Sequence, residues 1–121
     1  MRLFFTTRRL IKQAELSKNH ICTDATYKLI WQGYPVLIVG TTDKDKKFHP
    51  YGLAVCINEE TDDFAFIFES LKVAINKISG FDYKPTTLVA DASGAITAGF
   101  IKVFGSVEKR VNCWAHMLAK K

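Results

Sequence analysis

This 121-residue sequence lacks an even set of cysteines, long apolar runs and a secretion signal. Its three cysteines are an odd number, which argues against a secreted disulfide framework and favours a reducing compartment. Apolar runs such as residues 36–39 fall far short of the roughly 20 residues that span a bilayer. Thr6 and Arg8 interrupt the first apolar residues too early for a signal peptide. We therefore expect an intracellular protein without a membrane span.

Composition indicates one ordinary globular domain. Hydrophobic residues make up 48% and charged residues 24% of the chain, which excludes disordered, collagen-like and coiled-coil proteins. The net charge of +5 is concentrated at the ends, because residues 1–20 carry five basic and one acidic side chain and residues 108–121 carry four and one. Such flanks suit contact with DNA phosphates, although ordinary solvated faces would look the same. The candidate DNA contacts are Arg8, Arg9, Lys12, Lys109 and Arg110.

The hydrophobic pattern predicts the element order β-β-β-α-β-α-β after a helical arm. Alternating or continuous apolar runs predict strands, at residues 21–29, 35–40, 51–57, 88–90 and 108–113. Apolar stripes at helical spacing predict helices, at residues 6–18, between Thr61 and Gly80, and between Ser93 and Gly105.

The spacing of these elements predicts an α/β domain with a mixed five-strand sheet and flanking helices. Two short connections make the first three strands an antiparallel meander, and the long helix provides the crossover that a parallel fourth strand needs. We place that fourth strand beside the first. The domain body then covers residues 20–121 and follows a basic helical arm at residues 1–19.

Two aspartates occupy positions where carboxylates carry chemistry. Asp24 lies in the middle of the first predicted strand, where an unpaired carboxylate is costly to bury, and Asp91 ends the fourth strand, where α/β sheets bind ligands. If these strands are neighbours, the two carboxylates face each other about one strand spacing, ~5 Å, apart. Such a pair needs a shared proton or a divalent cation, and hard oxygen ligands favour Mg²⁺ or Mn²⁺. The pair therefore predicts a metal site for phosphoryl transfer.

Each acid also has a purely structural interpretation. Asp91 could cap the following helix, and Asp24 could be an ordinary strand-end aspartate, so only their pairing favours a functional site. Glu60, just before the long helix, is a better internal candidate for a third ligand than Glu69, which falls on the solvent side of that helix.

A thiol and an imidazole lie close together in the motif Cys113-x-x-His116. Structural zinc needs four ligands, so Cys22 and Cys56 would have to join, although their apolar strand neighbours favour packing. Nucleophilic catalysis by Cys113 with His116 as base would lack a recognisable oxyanion element. The residues alone do not distinguish an incidental pair from a functional site.

The sequence around these residues resembles a known family. The blocks are TDATYKL, PVLIVGTTD, HPYGLAVCINEETDDFAFIFESL, LVADAS and CWAHM, and their order and spacing are similar to the MULE (Mutator-like element) transposase domain over residues 20–118. The resemblance implies a ribonuclease-H-like fold and a DDE acid triad that cuts and joins DNA with a divalent metal. It assigns the first acid to Asp24, the second to Asp91 and the family's C-x-x-H feature to Cys113 and His116.

The resemblance also implies a third acid, a glutamate well downstream of the C-x-x-H motif. Neither Glu108 nor any residue after His116 suits that role. We therefore expect the N-terminal portion of a transposase catalytic core, incomplete in catalysis, that acts on transposon-end DNA in the nucleus and could form a homo-oligomer.

Two other functions stay open. One is a domesticated, catalytically inactive module, derived from a transposase, that binds DNA or regulates. The other is an α/β domain for protein contact in which both acids are structural. The first predicts salt-dependent DNA binding without metal-dependent nicking, whereas the second predicts binding of neither metal nor DNA.

Overall fold

A computed structural model of the chain describes most of its length. The described residues are 2–16, 18–24, 30–31, 34–42, 47–56, 58, 60–90 and 93–112.

Seven strands and three helices follow one another in these parts of the chain. The strands are β1 (Arg2–Phe5), β2 (His20–Asp24), β3 (Ile30–Trp31), β4 (Tyr34–Thr42), β5 (Phe48–Cys56), β6 (Thr87–Ala90) and β7 (Lys109–Asn112). The helices are α1 (Arg8–Lys12), which continues as a 3-10 turn at Gln13–Leu16, α2 (Thr61–Ser79) and α3 (Gly94–Phe104).

Six of the strands form one mixed sheet in the order β1-β5-β4-β2-β6-β7, and the short β3 pairs with the start of β4. The strands β2, β4 and β5 form the antiparallel meander that the sequence predicts. After the crossover helix α2, β6 pairs with β2 in parallel, and β7 then pairs with β6 in parallel. The predicted placement of the fourth strand beside the first is confirmed.

The N-terminal region differs most from the prediction. β1 was not predicted, and it makes the main sheet six strands wide instead of five. The sequence does not reveal this strand, because its four residues show no clear alternation and are stabilised by antiparallel pairing with β5. The helix predicted over residues 6–18 is the shorter α1 with its 3-10 turn, and Thr7 caps it by accepting a hydrogen bond from the Leu10 N–H at 3.2 Å.

Several element boundaries also move. Among the described residues, β2 covers His20–Asp24; residues 25–29, the rest of the strand predicted over 21–29, lie outside the described parts of the chain, so the mid-strand position of Asp24 stays a prediction. β5 begins at Phe48, three residues before the predicted start, because pairing with β4 continues past a register shift at Val39/Gly40. The N-cap of α2 is Glu60 and not Thr61.

The core lies where α2 and α3 pack on the sheet. Alternate sheet residues such as Leu37, Val39 and Leu88 belong to one buried cluster with Phe68 of α2 and Phe100 of α3. The rings of the two phenylalanines meet edge to face, with centroids 5.6 Å apart. The predicted end of α2 is confirmed, because Gly80 caps it in the left-handed conformation at φ 75°.

An ion pair joins the edge strand β1 to the start of α2. Arg2 Nε donates to Asp63 Oδ1 at 2.9 Å, and Asp63 Oδ2 accepts the N–H of the N-cap residue Glu60 at 3.0 Å. The Asp63 side chain is only 5% exposed, and its hydrogen bond raises the pKa of Arg2 above the ordinary value. Asp63 therefore fixes both the helix start and the edge strand.

Replacing Asp63 with Asn should destabilise the fold, because a buried acceptor of two hydrogen bonds loses its charge. We expect the free energy of unfolding to fall by about 1–3 kcal/mol in urea titrations. Asp62→Asn is the matched control, because Asp62 pairs with Lys102 on the surface and both side chains are more than half exposed. Equal losses in the two variants would contradict this role of Asp63.

Candidate metal site

The central pair of parallel strands places the first candidate acid. β2 and β6 pair in the register His20↔Thr87, Ile21↔Leu88, Cys22↔Val89 and Thr23↔Ala90. On its other side, Asp24 of β2 pairs with Ile38 of β4. In the sequence, the residues that follow Thr23 and Ala90 are Asp24 and Asp91. Asp91 lies outside the described residues, so its approach to Asp24 stays a prediction, while the strand adjacency behind it is confirmed.

A guanidinium group lies directly at the end of β6. Arg110, on β7, donates from Nη1 to the carbonyl oxygens of Ala90 at 3.0 Å and Val111 at 2.8 Å. Its Nε donates to Thr97 Oγ1 on α3 at 3.0 Å. Arg110 is half-buried, and these hydrogen bonds join β6, β7 and α3.

The other candidate DNA contacts lie in two separate parts of the fold. Arg8, Arg9 and Lys12 are exposed on α1, whose inner face is anchored by the fully buried Ile11. The 3-10 turn that continues α1 is tied to β5, because Gln13 Nε2 donates to the Pro50 carbonyl at 3.0 Å. Lys109 is exposed at the start of β7, on the far edge of the sheet. DNA contact by these side chains stays a prediction.

The described cysteines do not form a zinc site. Cys22 and Cys56 are buried on β2 and β5, and β4 lies between those strands. Burial raises the pKa of Cys56 to about 11, so its thiol stays protonated at neutral pH. Cys113 and His116 lie outside the described residues. Within the described ranges, no group of three His, Cys, Asp or Glu side chains is placed to hold a metal ion.

The two glutamates weighed as ligands are both exposed. Glu60 is the N-cap of α2, and Glu69 faces solvent on that helix as predicted. Neither one completes a metal site within the part of the chain that the structure describes.

Comparison with known families identifies the family to which the chain belongs. A model of the MULE transposase domain matches residues 20–120. The chain belongs to the MULE transposase domain family. No match is found among curated proteins or among solved structures. Along the described ranges, no helix of this MULE domain is long and apolar enough to cross a membrane.

The donor set of this MULE domain fits the divalent metal that transposases generally use. Membership in the family indicates a transposase-type function that acts on DNA. In the sequence, the residues that follow the last pair of β2 and β6, Thr23↔Ala90, are both carboxylates, the ligands that Mg²⁺ and Mn²⁺ prefer. The softer thiol ligands of Cys22 and Cys56 are buried on separated strands.

A polar residue beside the first acid was missed by sequence reasoning. Thr23 is 1% exposed, and its hydroxyl has no hydrogen-bond partner within the described ranges. It pairs with Val39 on one side and Ala90 on the other, so two apolar residues flank it across the sheet. The only signal in the sequence is its alternation with Cys22 and Asp24, which does not distinguish a buried threonine from an exposed one.

Thr23→Val should make the domain more stable, because valine has the same shape and removes a buried hydroxyl that has no hydrogen-bond partner among the described residues. We expect the free energy of unfolding to rise by about 1 kcal/mol. Thr86→Val is the control, because the Thr86 hydroxyl donates to the Asn19 carbonyl at 3.3 Å. A loss of stability in Thr23→Val would show that its hydroxyl has a partner.

Proposed function

We propose that this MULE domain is the N-terminal portion of a nuclease core in which Asp24 and Asp91 hold Mg²⁺ or Mn²⁺ for the cleavage and joining of DNA ends. The observation that carries the proposal is the parallel pairing of β2 with β6, in the register that ends at Thr23↔Ala90. A domain that acts on transposon ends would work in the nucleus, and that location is part of the proposal.

The register explains why two aspartates so far apart in the sequence would act together. Paired residues of neighbouring strands point their side chains to the same face of a sheet. Continuing the register of β2 and β6 by one residue would bring Asp24 and Asp91 opposite each other, about 5 Å apart at their backbones. Two carboxylates at that separation repel each other unless a cation lies between them.

The topology supports a ribonuclease-H-like arrangement of the core. The meander of β5, β4 and β2, followed by the parallel strands β6 and β7, gives the sheet order 5-4-2-6-7 around the site. The first acid then lies at the end of β2, and the second follows β6 in the sequence.

The protein's own contribution to the reaction would be to hold the two carboxylates close together before DNA binds. A bound divalent cation would supply the Lewis acidity that activates water or a 3′-hydroxyl and stabilises the leaving oxygen. The paired backbone of β2 and β6, described up to Thr23 and Ala90, would limit the reorganisation needed when the phosphate arrives.

The third acid of the proposed triad is not supplied by Glu108. The Glu108 N–H donates to the Thr86 carbonyl at 2.9 Å, just before β6 begins. Asp91 follows the other end of β6, and a four-residue strand is roughly 13 Å long. This separation supports the proposal that residues 20–120 form a partial catalytic domain. The alternative proposal is a catalytically inactive module that binds DNA.

Removing either carboxylate should weaken metal binding. We expect Asp24→Asn and Asp91→Asn each to raise the Mn²⁺ dissociation constant at least ~10-fold in calorimetric titration, because each variant removes one charged oxygen ligand. Asp82→Asn is the control, because Asp82 is an exposed aspartate that pairs with Lys84 at 3.3 Å, and it should bind Mn²⁺ as the unaltered chain does.

Mn²⁺ binding that is unchanged in both Asp24→Asn and Asp91→Asn would overturn the metal-site proposal. The alternative is tested with the same proteins in a gel-shift assay on duplex DNA. Salt-dependent retardation without any Mn²⁺-dependent nicking would favour the DNA-binding module over the nuclease.

A further inference from the structure

Exposed apolar and charged side chains share one side of α2. The opposite side of the helix packs into the buried cluster through residues such as Phe64 and Phe68. Val73 is 44% exposed, and a shallow hollow of about 570 Å³ lies around it, with Phe4 of β1 at its side. We call the helix residues that line this hollow the outer face of α2; they are Phe66, Glu69, Ser70, Val73, Ala74 and Lys77.

The charges on the outer face of α2 are symmetric about Val73. Glu69 lies four residues before Val73 and Lys77 lies four residues after it, and both side chains are exposed. Eight residues of helix separate the two charges by about 12 Å along the axis, which is too far for them to pair with each other. Within the described ranges of the chain, neither one forms an ion pair. The face therefore carries two opposite charges at equal distances from an apolar centre.

We propose that the outer face of α2 is a self-association surface, on which a second copy of this chain docks with its own α2 antiparallel. A two-fold axis at Val73 would place this residue against the partner's Val73. The same axis would bring Glu69 to the partner's Lys77 and Lys77 to the partner's Glu69, because the two copies use one surface reciprocally. The face is thus complementary in charge to itself. This inference goes beyond the proposed function and does not depend on the metal site.

The antiparallel arrangement also accommodates the largest apolar side chain of the outer face of α2. Phe66 lies seven residues before Val73 and Gly80 lies seven residues after it, so Phe66 would lie beside the partner's Gly80. A Cβ atom added to Gly80 would meet no described atom within 4 Å, so there is open space at this end of the helix. One pair of helices buries less than the roughly 800 Å² per partner of a standard interface, so we expect a reversible dimer of micromolar affinity.

The first test measures the molar mass of the whole chain by sedimentation equilibrium between about 5 and about 500 µM, which covers weak interfaces of this size. The mass should rise with concentration from that of one chain toward that of two. Val73→Asp places two carboxylates at the symmetry axis and should raise the dimer dissociation constant at least ~10-fold. Ile101→Asp is the matched control, because Ile101 is 42% exposed on α3, and it should dimerise as the unaltered chain does.

The second test reverses the charges and reports on the orientation of the two copies. Glu69→Lys alone and Lys77→Glu alone each bring like charges together across the interface, so both should weaken the dimer. The double variant Glu69→Lys/Lys77→Glu restores opposite charges at both contacts and should regain most of the affinity. Circular dichroism shows that each variant is folded.

Three results would overturn this proposal. The first is a chain that stays monomeric over the whole concentration range, as expected if the outer face of α2 binds a different protein. The second is a double charge variant that dimerises no better than the single variants. The third is an equal weakening of the dimer by Val73→Asp and Ile101→Asp.

Discussion

The parallel pairing of β2 with β6 is the contact on which the rest of the molecule depends. It joins the antiparallel meander to the C-terminal part of the sheet, and it requires α2 to cross over the sheet between β5 and β6. The buried cluster is built on this crossover, because α2 and α3 pack on the sheet through rings such as Phe68 and Phe100. A change in this register by one residue would move every side chain of β6 to the other face.

The same pairing concentrates polar groups at one end of an otherwise apolar pair of strands. Leu88 and Ala90 of β6 are fully buried, and the acids come immediately after the paired stretch. Carboxylates at such a position are costly unless a cation or hydrogen-bond donors compensate for their charge. The Arg110 guanidinium donates to the carbonyl of Ala90, the last residue of β6, so the protein places a hydrogen-bond donor at this end of the strand pair.

The sequence predicted the central topology well because its signals there were strong. Continuous apolar runs, short polar connections and a long amphipathic helix ended by Gly80 fix the meander and the crossover. β1 was missed because a four-residue strand depends on its partner β5 and not on its own pattern. The hydrogen bonds of Arg110 were also missed, since an arginine in a basic flank looks like a surface charge until its acceptors on Ala90 and Thr97 are known. The buried hydroxyl of Thr23 likewise depends on neighbours that no local pattern reveals.

The central claim, that Asp24 and Asp91 share one metal ion, is tested most directly by a double-mutant cycle on Mn²⁺ binding. The binding free energies of the unaltered chain, the two single Asn variants and the double variant are measured by titration at concentrations that saturate the weakest of them. Shared coordination predicts strong coupling, so that the double variant loses little more than the more affected single variant. If the loss of binding free energy in the double variant equals the sum of the two single losses, the two acids act independently, which would contradict the account.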